Sequence, residues 1–545
     1  MITNNNLNGA ILMVVLAAAL LSIPFCFILI NYYRRKLIQG MGYKMKTVKT
    51  DSSNDPAPAQ VPQARFNTIN PAELNTRDVK NFFKLKEFLG YNWFVYIISI
   101  GIAALCLSAI MLSCSHIDLS AWRIAYTALF YLWPLLLASL IIITSSTFQR
   151  FIFIIAYFIF NLMIVYIFYA QGQITPNYSF GKLLLPVLII NFLPTLFVLI
   201  LLLRKIRGIS FLMATMFMVA FGLTFLFINA PDRDVLAGFI VDSGMGVEGL
   251  YLFWLLCFLI ALIFCFLIAL SIRVMYNKKL ITDQTLIIDS IIIIHAVVYS
   301  VNLVVEKPAY GLFVILYFLI YKAVSILLFY LLRRFYPLPA PRKLLMLRVF
   351  ALGAKSRQLF EHLCKHWRFY GPVQMISGPD LAASTVDPHE MMNFLSGKLK
   401  DSFCDDEASI KKNTSEADYS RDFDGCFRIH EFFCRDNTWK LVLQALVKNN
   451  DLVLMDLRSF NPQYKGCQYE INQLVNTFRL DKILFLINGQ TDLPFTESCF
   501  REAFQQIPAS SPNANGEYAV TFFDYRKESY AHTLKLLNLM CGIAE

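Results

Sequence analysis

The sequence predicts a polytopic α-helical membrane protein of about nine transmembrane helices, followed by a C-terminal α/β domain with a mostly parallel sheet. Three observations lead there. Apolar segments long enough to cross a bilayer, which takes about 20 residues per helix, recur as far as Leu332. Basic residues gather on alternate sides of these segments, the pattern of cytoplasmic loops. From Leu344 onward, short apolar runs alternate with helical patterns instead.

Spans are expected at Ala10 to Tyr32, Asn92 to Cys114, Ala121 to Ser145, Arg150 to Ala170, Lys182 to Leu203, Ile209 to Ile228, Leu250 to Tyr276, Leu286 to Val305 and Ala309 to Leu332. An outside N-terminus puts Arg34, Arg35, Lys36, Arg150, Arg204, Lys205, Arg207, Arg273, Lys278, Lys279, Arg333 and Arg334 on the inner side. The longest outward loop, Asn229 to Gly249, carries Asp232, Asp234, Asp242 and Glu248 against Arg233 alone. Met1 to Gly9 lacks the basic start of a signal peptide, so the first span reads as a permanent anchor.

Composition agrees with a membrane protein: hydrophobic residues make up 57% and charged residues 16%, with a mean hydropathy of +0.52. The formal charge of +11 would suggest nucleic acid in a soluble chain. Here the cations border spans and face anionic headgroups, so the expected partner is the lipid bilayer and not nucleic acid. The twelve cysteines include no CxxC pair and no metal-ligand spacing, so neither a metal site nor a disulfide is expected.

The chain divides into an anchor (1–32), a cytoplasmic linker with a basic amphipathic helix (33–91), an eight-helix membrane region (92–334), a Pro-rich connector (335–343) and a cytoplasmic α/β domain (344–545). In the linker, Asp51 to Gln63 has little to bury, whereas Asn70 and Pro71 can open a helix whose Lys80, Lys84 and Lys86 alternate with Phe82, Phe83 and Leu85. That helix lies either on the inner membrane surface or against the C-terminal domain. The domain's strands are expected at Leu344 to Ala351, Val373 to Ser377, Phe427 to Phe433, Leu452 to Leu457, Lys482 to Ile487 and Tyr518 to Phe523. The intervening helical patterns imply right-handed crossovers and a parallel sheet.

Ligands of such sheets collect beyond the carboxyl ends of the strands, where helix N-termini present free N–H groups. By that rule the first loop offers Gly353, Lys355, Ser356 and Arg357, the second Ser377, Gly378 and Asp380, and the fourth Asp456, Arg458, Ser459 and Gly466. Gly353 to Ser356 lacks the Gly-Lys-Ser adjacency of a phosphate loop, so a plain turn into a helix is expected, with Lys355 and Arg357 placed to meet an anion.

The stretch Asp451-Leu-Val-Leu-Met-Asp456-Leu-Arg458-Ser-Phe, followed by Gly466-Cys467-Gln-Tyr469-Glu470-Ile, resembles the corresponding part of TIR-like and nucleoside deoxyribosyltransferase-like domains. The resemblance implies a TIR-like or flavodoxin-like outline. It also implies a glutamate early in the helix that faces a nucleotide's ribose and, in catalytic members, supports glycosidic cleavage; only Glu470 matches that position. TIR domains often carry Trp-Cys ahead of the glutamate, where this chain has Gly466-Cys467. Cys467 itself reads as a packing residue, and Trp439 or Tyr469 could stack on a base.

Within the spans, ionisable residues are costly enough to be functional candidates. His295 in the eighth span and Lys322 in the ninth fall near mid-bilayer at similar expected depth, with Asp289 nearer the cytoplasmic end. They read either as a proton relay or anion site, or as a satisfied core histidine beside a snorkelling lysine. Together these readings predict a signalling or defence protein of the bacterial inner membrane. Its cytoplasmic module would bind or cleave an NAD-like nucleotide, while the spans sense the envelope or a lipid, or position the module by oligomerising. A transporter or lipid-handling protein with a regulatory domain, and a purely interacting module, are the alternatives; no cofactor is specified.

Overall fold

The computed structural model describes residues 4–42, 63–74, 80–143, 147–171, 179–202, 207–228, 246–306, 308–337, 339–348, 353–377, 399–415, 419–435, 438–527 and 529–545, with isolated positions at 238–244 and 394–397. The chain is mostly helical and divides into two units, one built mainly from Met1–Tyr32 and Tyr91–Leu332, the other from Tyr33–Gly90, Arg333–Thr385 and Asn393–Glu545.

The first unit takes its helices from α1 (Asn4–Met41), α2 (Lys80–Cys114), α3 (Ala121–Tyr131), α4 (Trp133–Ile142), α5 (Thr147–Ala170), α6 (Phe180–Leu201), α7 (Arg207–Ile228), α8 (Gly246–Asn277), α9 (Asp283–Glu306) and α10 (Phe313–Phe335). Among the described residues, 7 helices are long and apolar enough to span a membrane, or 8 if the bent pair α3 and α4 forms one span. The expected sixth span falls on α7, whose described apolar stretch, Ser210–Leu226, is shorter than those. Burial separates the helices. The most apolar stretch of Asp283–Val304 is 78% buried and that of Glu248–Asn277 11%, so α9 runs through the centre of its bundle while α8 lies at the rim, apolar outward.

The expected third span is not one straight helix: α3 and α4 meet at 54° around Leu132. Pro134 is the cause, because it has no N–H and its ring crowds the carbonyl of Phe130. Carbonyls freed at membrane depth must find donors inside the protein. Asn191 Nδ2 donates to Phe130 O at 3.1 Å, Tyr317 OH to Tyr131 O at 3.0 Å and Tyr157 OH to Leu132 O at 3.2 Å. Three helices thus pin the break. Pro186 and Pro194, by contrast, lie inside α6 without dividing it.

The second unit is built on a sheet of β1 (Phe66–Ile69), β2 (Leu344–Arg348), β3 (Val373–Ser377), β4 (Phe403–Cys404), β5 (Ile429–Cys434), β6 (Leu452–Asp456), β7 (Ile483–Ile487) and β8 (Val520–Asp524). Every pairing is parallel, in the order β1-β8-β7-β6-β2-β3-β5-β4. All residues of β2, β3, β6 and β7 are buried, as strands covered on both faces require. Helices α11 (Gly353–Trp367), α12 (Glu407–Ser415), α13 (Trp439–Lys448), α14 (Lys465–Thr477), α15 (Leu493–Gln505) and α16 (Tyr530–Ala544) complete the unit.

Apart from the edge strands β1 and β4, the chain order across the sheet is 3-2-1-4-5-6, the dinucleotide-fold order, and not the flavodoxin-like 2-1-3-4-5. Periodicity marks strands but carries no information on which neighbour each will choose. The linker also departs from expectation. Asn70 caps a turn, its Oδ1 accepting from Ala72 N at 3.1 Å, and from Lys80 the helix continues unbroken through the second span. Its Phe88 meets Phe369 at 5.3 Å between ring centroids, the arrangement expected if this helix packs on the α/β module.

Gly371 lies where the backbone leaves no room: a Cβ there would fall 1.7 Å from the carbonyl oxygen of Arg342, itself held by the pairing of Arg342 N with Tyr370 O. Gly371→Ala should therefore destabilise the module by roughly 4 kcal/mol or more. Limited proteolysis of the full chain in nanodiscs checks this, the variant being cleaved within 333–545 far faster than the parent.

Candidate functional site

β2 lies between β6 and β3, so the crossovers on its two sides leave in opposite directions. In open parallel sheets ligands bind beyond the carboxyl ends of the strands at such a switch point, here those of β2 and β6. The last residues of these strands, Arg348 and Asp456, are register partners, and both are buried. Asp456 accepts Arg458 in two-pronged fashion, Nε at 2.8 Å and Nη2 at 2.7 Å, and its Oδ1 also accepts the Arg458 backbone N–H at 3.2 Å. Arg458 is 1% exposed, its guanidinium 5.3 Å from the centre of the Tyr525 ring.

Glu470 reaches the same place from α14. The buried positions of that helix, Cys467, Glu470, Ile471, Leu474 and Val475, form one stripe facing the sheet, so a carboxyl occupies a site where packing alone would select leucine. It is 2% exposed, and Oε2 has no hydrogen-bond partner among the described residues. Burial pushes its acid dissociation up to about 8, with the nearby Arg348 guanidinium opposing the shift. Near neutral pH it is a neutral acid.

Sequence reasoning missed Arg348 and Glu431. Glu431 comes from β5, accepts from Ser377 Oγ at 2.9 Å and is also pushed above the ordinary carboxylate range by burial, moderated by Ser377 and Arg348. The available signal was a carboxyl inside an expected strand, just ahead of Phe432 and Phe433. Strands β2, β5 and β6, the loop after β6 and helix α14 thus bring together three carboxyls, Glu431, Asp456 and Glu470, and two guanidiniums, Arg348 and Arg458.

The other expected residues distribute as follows. Gly353, Lys355, Ser356 and Arg357 form the first turn of α11, but the side chains of 353–358 lie outside the described residues, as do Gly378 and Asp380 altogether. Ser377 is in the cluster. Gly466 is in the first turn of α14, and a Cβ there would meet nothing within 4 Å, so open space adjoins the helix start. Ser459 holds a positive φ of 61° while its N–H donates to Asn488. Burial pushes the Cys467 thiol far up, which suits a packing residue. Trp439 and Tyr469 meet each other edge to face at 5.4 Å, with Lys440 over the Tyr469 ring.

In the membrane-type unit Lys322 engages Asp289 and not His295. Nζ lies 2.5 Å from Asp289 Oδ2, while Tyr321 OH donates to Oδ1 at 3.0 Å. His295 is six residues further along α9, about 9 Å at 1.5 Å per residue. Its Nδ1 lies 2.9 Å from Ile291 O, and Nε2 is buried without a hydrogen-bond partner among the described residues. Lysine's four-carbon stem explains the difference in depth. No group of three metal-binding side chains occurs among the described residues.

Fold and site define a chain with several helices able to span a bilayer, joined to a parallel α/β sheet that buries an ionisable cluster at its switch point. No protein family, curated protein or solved structure matches it.

Two tests follow. With its folded-state pKa raised, Glu470 binds a proton that the unfolded chain releases above about pH 4.5, so stability falls as pH rises from there to about 8. Glu470→Gln removes the titration and should stabilise the protein by on the order of 3 kcal/mol at pH 7. Melting curves of both proteins from pH 5 to 9 should diverge up to about pH 8 and run parallel beyond. For the membrane pair, Lys322→Met strands Asp289 and should cost about 3–5 kcal/mol, most of it recovered by adding Asp289→Asn. Equal losses in single and double variants would show that the pair is not the source.

Proposed function

We propose that the protein is a membrane-anchored signalling or defence component of a bacterial inner membrane. Its N-terminus lies outside, nine helices cross the bilayer, and a cytoplasmic α/β module binds an NAD-like nucleotide. The observation that carries this reading is Glu470: a carboxyl with one oxygen unpartnered among the described residues, enclosed beside Arg348 where the strand order reverses. Open α/β sheets take their ligands at that point. A carboxyl enclosed in a crevice is also the group that would stabilise positive charge on a ribose as its N-glycosidic bond lengthens. The base leaves with the bonding electrons, and water adds to the anomeric carbon. The resemblance of the Asp451 to Ile471 stretch to TIR-like domains supports the same ligand class, and α11 opens its N-terminus beside β2 for an anionic group.

A transporter or lipid-handling role with a regulatory module is the second reading, favoured by the enclosed Asp289, Lys322 and Tyr321. It makes any flux through the membrane region sensitive to Lys322→Met and indifferent to Glu470→Gln.

The full chain in nanodiscs, with its Glu470→Gln twin, should be titrated with NAD by calorimetry while products are followed by chromatography. The parent is expected to bind NAD and release nicotinamide, at a rate rising toward pH 8 as Glu470 ionises. The twin should be slower by about 100-fold or more. A folded parent that neither binds nor cleaves NAD or free nucleosides overturns the reading.

A further inference from the structure

β4 and β5 set two thiols side by side at one edge of the sheet. Cys404 and Cys434 are register partners on these parallel strands, so both side chains leave the sheet on the same face. Parallel neighbours are spaced about 4.8 Å apart, inside the Cα separation of roughly 4.4–6.8 Å that a disulfide bridges. Both cysteines are reduced and buried, Cys404 completely and Cys434 to within 7%. Asn413 Nδ2 donates to the Cys404 sulfur at 3.6 Å, and the Cys434 thiol, 3.6 Å from Phe432 O, also lies within hydrogen-bond reach of Cys404.

We propose that Cys404 and Cys434 form a reversible redox site, in which a hydroperoxide converts the paired thiols to a disulfide tying the edge strand β4 to β5. The Cys404 thiolate attacks one peroxide oxygen and breaks the O–O bond, giving a sulfenic acid and hydroxide. The Cys434 sulfur then attacks the Cys404 sulfur, expelling the sulfenic oxygen as water. In sum, two thiols and hydrogen peroxide give one disulfide and two waters. The donors around Cys404 suit it to the first step: the S–H of Cys434 and the amide of Asn413 hold it below the usual thiol range. Access comes from the strand itself, since β4 is two residues long and ends the sheet, the kind of element that opens locally. In a reducing compartment such a bond is transient and serves sensing, not stability.

What the bond would hold is defined by the next residue on each strand. Arg435 clasps Asp405 through Nε at 2.5 Å and Nη2 at 2.9 Å, and donates from Nη1 to the carbonyl of Gly40 at 3.2 Å. Gly40 belongs to the last turn of α1, where a Cβ would come within 2.6 Å of the Phe403 ring. The thiol pair therefore lies directly behind the seat of that turn.

The test uses the full chain in nanodiscs, treated with hydrogen peroxide, quenched with N-ethylmaleimide, digested and read by mass spectrometry. A peptide pair joined through Cys404 and Cys434, lost on reduction with dithiothreitol, is expected. In the Cys434→Ser variant the joined pair should vanish and Cys404 should accumulate as the dimedone-trapped sulfenic acid. Peroxide that oxidises other cysteines while both of these stay alkylatable overturns the proposal, as does a linkage pairing either with a different cysteine.

Discussion

Every pairing in the sheet is parallel, and much of the second unit depends on that constraint. Parallel neighbours cannot be joined by a tight turn, so each pair needs a crossover, and helices on both faces follow. Strands covered on both faces bury every residue, as β2, β3, β6 and β7 do, and are mainly apolar, with Arg348 and Asp456 at the carboxyl ends of β2 and β6. All carboxyl ends then gather along one edge, and the strand order reverses where β2 meets β6. Arg348 and Asp456 end those two strands in register, so the polar cluster stands where the architecture leaves room for it.

Both units apply the same rule to buried charge. An isolated ion in a poorly polarisable interior costs far more than a fold can supply, so it is paired or neutralised. Asp456 with Arg458, and Asp289 with Lys322, take the first course. Glu470 takes the second by holding a proton near neutral pH. Phe130 O and Tyr131 O at the α3 and α4 break obey the uncharged form of the rule, each met by a side chain from another helix.

How much was legible in the sequence depended on whether a feature was local. Leu452 to Asp456 could be read within one residue because Leu452 to Met455 is an unbroken apolar run, and Val373 to Ser377 could be read to the residue from a short, mainly apolar run between helical patterns. Phe66 to Ile69 could not. It is an edge strand of four residues with Asn67 and Thr68 exposed, and its apolar contacts, Phe66 with Phe500 and Phe522, come from more than four hundred residues away. The strand order was hidden for the same reason. Glu470 was found because its place in a strand-loop-helix motif is a local property, whereas its companions Arg348 and Glu431 lie on separate strands and meet only in the fold. Lys322 was legible as an anomaly in an apolar helix, but its partner depended on how α9 and α10 pack.

The cluster's charge is set by protons and not by its residues alone. Three carboxyls face two guanidiniums, so one proton on the carboxyls balances the five groups, and burial raises Glu470 toward holding it. Protonating Glu431 as well leaves one positive charge, while ionising Glu470 leaves one negative charge. A ligand that enters carrying negative charge therefore favours the protonated cluster, and a ligand that develops positive charge favours loss of the Glu470 proton. Under the function proposed above, one site would accept an anionic nucleotide in its ground state and stabilise a cationic sugar as a glycosidic bond opens, with a single proton making the difference. A glycine-cradled phosphate loop does the first task by fixed geometry, and this chain has none between β2 and α11. Adjustable charge on buried carboxyls, instead of a rigid anion cradle, is the chemical means the switch point of this sheet provides.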